Sequence, residues 1–401
     1  MAAIDPRTLR ADWSYPTRVR FGPGRVTELP DACRALGVAR PLLVTDPALA
    51  QHAIGHRVLE IARAAGLAVD LFADVQPNPI EANVAAGVEL FRAGRHDGVI
   101  ALGGGSGLDA AKAVAFMVAQ TRPIWDFEDR GDNWRRADAA GIAPVVAIPT
   151  TAGTGSEVGR AAVITNHETR TKCIVFHPKM LPGEVIADPE LTLELPAPLT
   201  AWTGLDALSH SLEALCAPGF HPMADGIATE AIRLIHGALE VAASDGHQLW
   251  ARSHMLAAAS MGAVAFQKGL GAMHAMAHAI GGLLDAHHGL TIAIVMPYVL
   301  EENRPATEPT LARLGRALGL AEPGFEGVLS WVVALRARLA IPPTLEVLGV
   351  REEHIATLAP RAAADPSAST NPLPLDAAAY GALLRRALGG NPAAEARARA
   401  G

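Results

Sequence analysis

Asp206, His210, His274 and His288 are side chains whose types and spacing suit a single divalent-metal site. Asp206 and His210 lie in TGLDALSHSLEAL, where Leu205, Leu208, Leu212 and Leu215 mark an amphipathic helix. An i, i+4 interval puts the carboxylate and the imidazole on one helix face, a turn apart. His274 and His278 repeat that interval in GAMHAMAHAIGG, and His288 follows ten residues later, past Gly281 and Gly282. One carboxylate with up to four imidazoles suits a borderline ion such as Fe2+ or Zn2+, whereas Mg2+ and Ca2+ favour oxygen. The chain has 15 histidines, and any one of them also fits a hydrogen-bonded core or surface role. Spacing leaves both readings open.

The elements that carry these residues follow a change of texture. ARPLLVTD, LAVDLFADV, GVIALG and PVVAIPT read as strands, with helical stretches running to about Ala65, from Glu81 to Gly94, and from near Gly107. Apolar β-branched runs alternating with helices indicate a parallel sheet covered on both faces. PVVAIPT is read as the last strand of that series, and WSYPTRVRFGPG as a short hairpin edge before it. Beyond Pro196 and Pro198 the chain turns Ala- and Leu-rich with helical periodicity. We therefore expect an α/β, Rossmann-like domain over residues 1–196 and an all-helical, metal-binding domain over 197–401. The tail Gly390–Gly401 is expected to fray.

Two loops in the first half could hold a nucleotide. ALGGGSGLDAAKAVA sets Gly103, Gly104 and Gly105 between a strand and a helix, where bare N–H groups and the helix dipole favour a phosphate. It is neither G-x-G-x-x-G nor a Walker loop, and a tight βα turn explains it equally well. PTTAGTGSEVG follows another strand with Thr150, Thr151, Thr154 and Ser156, and serves a ligand or a helix cap. Two such loops at strand ends of one sheet favour a nucleotide crevice at a topological switch point. Asp46, which ends PLLVTD, suits either a ribose hydroxyl or the cap of a helix opened by Pro47.

Bulk properties narrow the class. A net charge of -7 without a Lys/Arg-rich run argues against nucleic acid as a partner. No apolar run reaches membrane-span length, and the first dozen residues lack the apolar core of a secretory signal. Cys33, Cys173 and Cys216 form no CxxC pair, which fits a reducing compartment. A cytoplasmic protein with no membrane partner is expected.

Taken together, the chain resembles the iron-containing (group III) alcohol dehydrogenase family. The resemblance rests on FGPG at 21–24, VTD at 44–46, VQPNP at 75–79, GGGSGLDAAK at 103–112, PTTAGTGSEV at 149–158 and ADPELTLELP at 187–196. It continues through GLDALSHSLEA at 204–214, GAMHAMAHAIGGLLDAHHG at 271–289 and TNPLPLD at 370–376. It implies an NAD(H)-linked alcohol dehydrogenase or aldehyde reductase using Fe2+, with Zn2+ as the alternative ion and NADP less favoured. The implied metal ligands are Asp206, His210, His274 and His288, with His278 beside them as a proton relay, a supporting group or a fifth ligand. The implied cofactor contacts are Asp46, Asn78, Gly104, Gly105, Ser106, Asp109, Thr150, Thr151, Thr154, Val163 and Lys172. Small alcohols or aldehydes would be the substrates and a homodimer the assembly. Two local departures are His287 and Ala279, each where many relatives carry Pro. His287 adjoins the expected ligand, and the 14-residue interval from His274 favours His288. A lyase of the dehydroquinate synthase type shares the architecture but needs basic residues around a phosphate, and only Lys268 lies near these ligands in sequence. A non-catalytic NAD sensor would not need an intact ligand set.

Overall fold

The structure, a computed structural model, describes residues 11–13 and 17–390. The expectations for residues 1–10 and for the tail beyond Gly390 lie outside the described residues. The chain divides into two compact units, residues 1–195 with 246–256, and residues 196–245 with 257–401.

In the first unit, β1 (Ala11–Trp13) and β2 (Arg18–Phe21) form an antiparallel pair, with α1 (Leu29–Ala35) after them. Then come β3 (Pro41–Val44), α2 (Pro47–Gln51), α3 (Ala53–Ala64), β4 (Asp70–Phe72), α4 (Glu81–Ala93), β5 (Gly98–Gly103) and α5 (Gly105–Met117). β6 (Val145–Pro149), β7 (Ala161–Asn166), β8 (Thr171–Phe176) and β9 (Glu184–Ala187) complete it. The main sheet runs β1-β2-β9-β6-β5-β3-β4, parallel except at β1, and β7 and β8 pair by themselves as an antiparallel hairpin. Two features were not anticipated: PVVAIPT does not close the series, because β9 inserts between β2 and β6, and the β7–β8 hairpin lies outside the sheet. Glu184, Val185, Ile186 and Ala187 are too short and mixed a run to stand out, yet all four are buried.

Every residue of β3, β5 and β6 is buried, which is why these strands read as continuous apolar runs. Ile100, Leu102, Val146, Ile148 and Ile186 share one core with Leu29, Cys33, Val58 and Leu59 of α1 and α3. The alternate residues Val99, Ala101, Val145 and Ala147 point to the other face, where α5 packs on β5 and β6. The chain leaves β3 outward to β4 and leaves β5 the other way to β6, so the switch point lies between the C-terminal ends of β3 and β5. This unit also takes in the start of α8 (Leu249–Ala265), where Arg252 donates to the carbonyls of Leu193 at 3.3 Å and Leu195 at 3.0 Å.

The second unit is helical throughout its described residues. It contains α6 (Ala197–Cys216), α7 (Pro222–Ser244), the end of α8, α9 (Ala272–Leu284), α10 (His288–Leu318), α11 (Phe325–Arg338), α12 (Ile355–Ala363) and α13 (Ala377–Gly389). α6 packs on α7 and α10, and α9 packs on α10 and α12. Neither α6 nor α9 keeps a polar face: residues 204–215 and 272–281 are buried without interruption. The expected amphipathic stripe on α6 is therefore a helix enclosed on all sides, its small Ala, Gly and Ser positions taking the neighbours. Among the described residues no helix is long and apolar enough to cross a membrane.

Candidate functional site

α6 brings Asp206 and His210 to one face, and α9 does the same for His274 and His278. Donor atoms of Asp206, His210 and His274 all lie within 4.8 Å of one another, and all three side chains are buried. Asp206 Oδ1 is the centre of the group, 3.9 Å from His210 Nε2, 3.9 Å from His274 Nε2 and 3.5 Å from His288 Nε2. These separations are too long for hydrogen bonds. They are close to the spacing of about 3.4 Å between ligands around a tetrahedral ion with bonds of about 2.1 Å. Asp206 Oδ1 and His274 Nε2 are buried with no hydrogen-bond partner, a costly state that an ion held between them removes. The donor set therefore fits a borderline divalent metal. His288 stands outside the tightest trio and its side chain keeps 24% of its exposure, so solvent reaches the group from that side.

The two adjacent histidines point different ways. His287 caps α10, accepting from Leu290 N at 3.3 Å, and lies tilted against Trp202 with ring centroids 4.8 Å apart. His288 alone turns towards Asp206.

Two buried carboxylates orient the imidazoles. Glu213, a turn and more along α6 from Asp206, takes His274 Nδ1 on Oε2 at 2.6 Å and the backbone N–H of Met273 on Oε1 at 2.7 Å. Asn371 Oδ1 accepts the N–H of Ala272 at 3.0 Å, so the first turn of α9 is held by side chains from α6 and the C-terminal segment. Gly271 makes this possible: a Cβ there would lie 2.8 Å from Asn371 Oδ1 and 2.9 Å from Glu213 Oε1. Burial works against protonation of His274, but Glu213 and Asp206 outweigh it and hold its pKa above the ordinary value. His278 Nδ1 lies 3.0 Å from Asp365 Oδ2, and its ring stacks on His288 with centroids 5.4 Å apart. Burial acts to raise the Asp365 pKa, yet His278 and the Ser367 N–H hold it below the usual carboxylate range.

In the first unit, most of the expected cofactor residues gather at the C-terminal ends of the parallel strands. Asp46 follows β3 and caps α2, its Oδ1 accepting from Leu49 N at 2.9 Å. Asn78 lies in the β4–α4 loop, which Ser106 ties to α5 by donating to the Pro77 carbonyl. Gly104 and Gly105 open α5, and no side chain caps that end. The β6 loop packs directly on them: a Cβ on Gly105 would collide with the Thr154 hydroxyl, and one on Gly104 would lie 3.0 Å from Thr151 Oγ1. Thr150 N donates to the Gly103 carbonyl at 3.0 Å, joining the two loops at their roots. Val163 and Lys172 are set apart on the β7–β8 hairpin, Lys172 opposite Thr165.

Asp109, one of the implied cofactor contacts, has protein partners of its own. It is 6% exposed and accepts from Ser156 Oγ at 2.5 Å and from Val163 N at 2.9 Å. Lys112, one turn on, is buried; its Nζ donates to the carbonyls of Ser156 at 3.0 Å and of Ala161, with Asp109 Oδ1 at 3.3 Å. Burial pulls its pKa below the ordinary lysine value against the attraction of Asp109 and Glu157. This pair fastens the β6 loop and the hairpin to α5. Sequence reasoning missed Lys112, Glu213, Asp365 and Asn371 as working residues. A lysine in the middle of an Ala-rich buried helix, and a glutamate inside a helix buried all round, were the available signals.

The comparisons with known proteins agree over most of the chain. Residues 16–189 match the iron-containing alcohol dehydrogenase family, and residues 200–388 match the C-terminal part of the Fe-containing alcohol dehydrogenase family. A 4-hydroxybutyrate dehydrogenase of Cupriavidus necator is 38% identical over 387 residues, covering 93% of this chain and 99% of the relative. A crystal structure of 1,3-propanediol oxidoreductase superposes with a TM-score of 0.86 at 32% identity, covering 95% of this chain and 99% of the other. Sulfoacetaldehyde reductase from Bifidobacterium kashiwanohense, solved in complex with NAD+, gives 0.84 at 28% identity, with 96% and 99% covered. With these matches and its buried Asp-His cluster, the chain belongs to the iron-containing alcohol dehydrogenase family.

Proposed function

We propose that this protein is a metal-dependent, NAD(H)-linked alcohol dehydrogenase or aldehyde reductase. The carrying observation is Asp206 Oδ1, buried without a hydrogen bond and approached at 3.5–3.9 Å by three imidazole nitrogens. Asp206, His210, His274 and His288 would hold Fe2+, or Zn2+ in its place. When bound, the ion supplies Lewis acidity at the substrate oxygen. Oxidation of a primary alcohol sends a hydride from its carbon to nicotinamide C4 and its hydroxyl proton to solvent. His278, held by Asp365, is the group for that proton, since an imidazole ring both accepts and donates protons. In the reverse direction the same ring returns the proton to the oxygen of the reduced aldehyde.

The cofactor reading rests on the first unit. The uncapped N–H groups at the start of α5 suit a pyrophosphate, with Thr150, Thr151 and Thr154 beside them. Asp46 spends one oxygen on its helix cap and has a second for a ribose hydroxyl, where its charge would repel a 2′-phosphate and favour NAD over NADP. Asn78, Ser106, Asp109, Val163 and Lys172 line the adjoining loops and hairpin, where Asp109 also holds the Val163 N–H. The reading places the protein in the reducing cytoplasm, supported by three free cysteines, and as a homodimer, which light scattering on a sizing column would test.

The deciding experiment is a panel of small alcohols, diols, hydroxy acids and aldehydes with NAD(H) and NADP(H), run on protein reconstituted anaerobically with Fe2+ or Zn2+. Metal-dependent formation of NADH from an alcohol is expected, with none after chelation. Full turnover in chelator, or no turnover with any metal, would end this reading.

A further inference from the structure

The unpaired His274 nitrogen faces Asp206 only because its other nitrogen is engaged. We propose that Glu213 sets the metal affinity of the site by locking the His274 imidazole with Nε2 as the free donor atom, an inference that rests on the metal reading above. An ionised carboxylate can only accept, so the 2.6 Å contact to Glu213 Oε2 requires a proton on His274 Nδ1. The neutral ring then presents its lone pair from Nε2, which lies 3.9 Å from Asp206 Oδ1. Without Glu213, the other tautomer becomes available. Its Nε2–H would turn to Asp206 and use the two atoms that the ion needs.

Glu213 is itself fixed. Its other oxygen takes the Met273 N–H at 2.7 Å, and its side chain is only 5% exposed. One carboxylate therefore clamps both the end of α9 and the ring one residue further on. An imidazole held by a carboxylate on its far nitrogen is a more basic and better aimed ligand, and losing such a partner weakens metal binding by about 10–100-fold. Asn371 provides the internal comparison, because it pins the neighbouring N–H of Ala272 without touching an imidazole.

The test uses the full-length, metal-stripped protein and Co2+ alone, followed by its visible absorption and by calorimetry. Wild type should bind one Co2+ with a tetrahedral-type spectrum. Glu213→Gln, whose single carboxamide oxygen cannot serve both donors, should bind about 10–100-fold more weakly. Asn371→Ala should lose thermal stability but stay within about threefold of wild type in Co2+ affinity. In 15N-histidine NMR of the metal-free wild type, taken at a pH high enough to leave the ring neutral, the His274 signal should report a proton on Nδ1 and none on Nε2. Wild-type protein that binds no Co2+ would bring down the metal reading and this inference together. Wild-type binding matched by Glu213→Gln, equal weakening by Asn371→Ala, or a neutral His274 ring protonated on Nε2 would overturn the role of Glu213 alone.

Discussion

Replacing Lys112 with Met should loosen the β6 loop and the hairpin from α5 while keeping the volume of the buried stem. In the folded protein Lys112 Nζ donates to the Ser156 and Ala161 carbonyls and lies 3.3 Å from Asp109 Oδ1. Each hydrogen bond from a charged donor contributes about 1.5–3 kcal/mol. Removing one member of a buried ion pair costs about 3–5 kcal/mol, because the other charge is left behind. Here Asp109 keeps Ser156 Oγ and Val163 N as donors, and the ammonium no longer has to be desolvated. The lower end, about 3 kcal/mol, is therefore the expected loss. At about 1.4 kcal/mol per tenfold, that is roughly a hundredfold or more in the opening equilibrium. Hydrogen exchange of the amides from Ser156 to Val163 should quicken by that factor, and NAD+ affinity should fall with it. Adding Asp109→Asn to Lys112→Met should cost at least about 1 kcal/mol less than the sum of the single changes. Exchange unchanged in Lys112→Met, or strict additivity in the double variant, would refute the claim that this pair holds the loops.

Asp46→Gly should relax the preference for NAD+ over NADP+, read as the ratio of kcat/KM values. The same change should cost only a few tenths of a kcal/mol in stability, because Gly is itself an acceptable cap; an unchanged ratio would remove Asp46 from the ribose. His287→Ala should retain bound metal and lose about 1 kcal/mol at most through its cap on α10, whereas His288→Ala should lose the metal, both read by elemental analysis and thermal melts. Asp365 has a depressed folded pKa, so its contribution to stability is fully present above the unfolded value of about 3.9 and is lost as pH falls through the folded one. The gap in urea stability between wild type and Asp365→Asn, measured in chelator, should shrink as pH falls below about 4; a gap that widens there on further acidification would contradict this.

Much of the candidate metal centre was legible in the chain because it depends on short intervals. Asp206 with His210, and His274 with His278, are four residues apart, and helical geometry alone fixes such pairs to one face. The buried strands β3, β5 and β6 were equally readable, since a strand covered on both faces must be apolar along its length. β9 was not, because four mixed residues carry no periodic signal and their place between β2 and β6 is a matter of long-range pairing. The same limit hid the groups that aim the ligands. Glu213 meets His274 across 61 positions, Asp365 meets His278 across 87, and Lys112 meets the Ser156 carbonyl across 44. Residue type and spacing determined which side chains could bind a cation. Only the packing of one helix against another decided which nitrogen of each ring faces Asp206, because a hydrogen bond between distant segments exists only once both are in place.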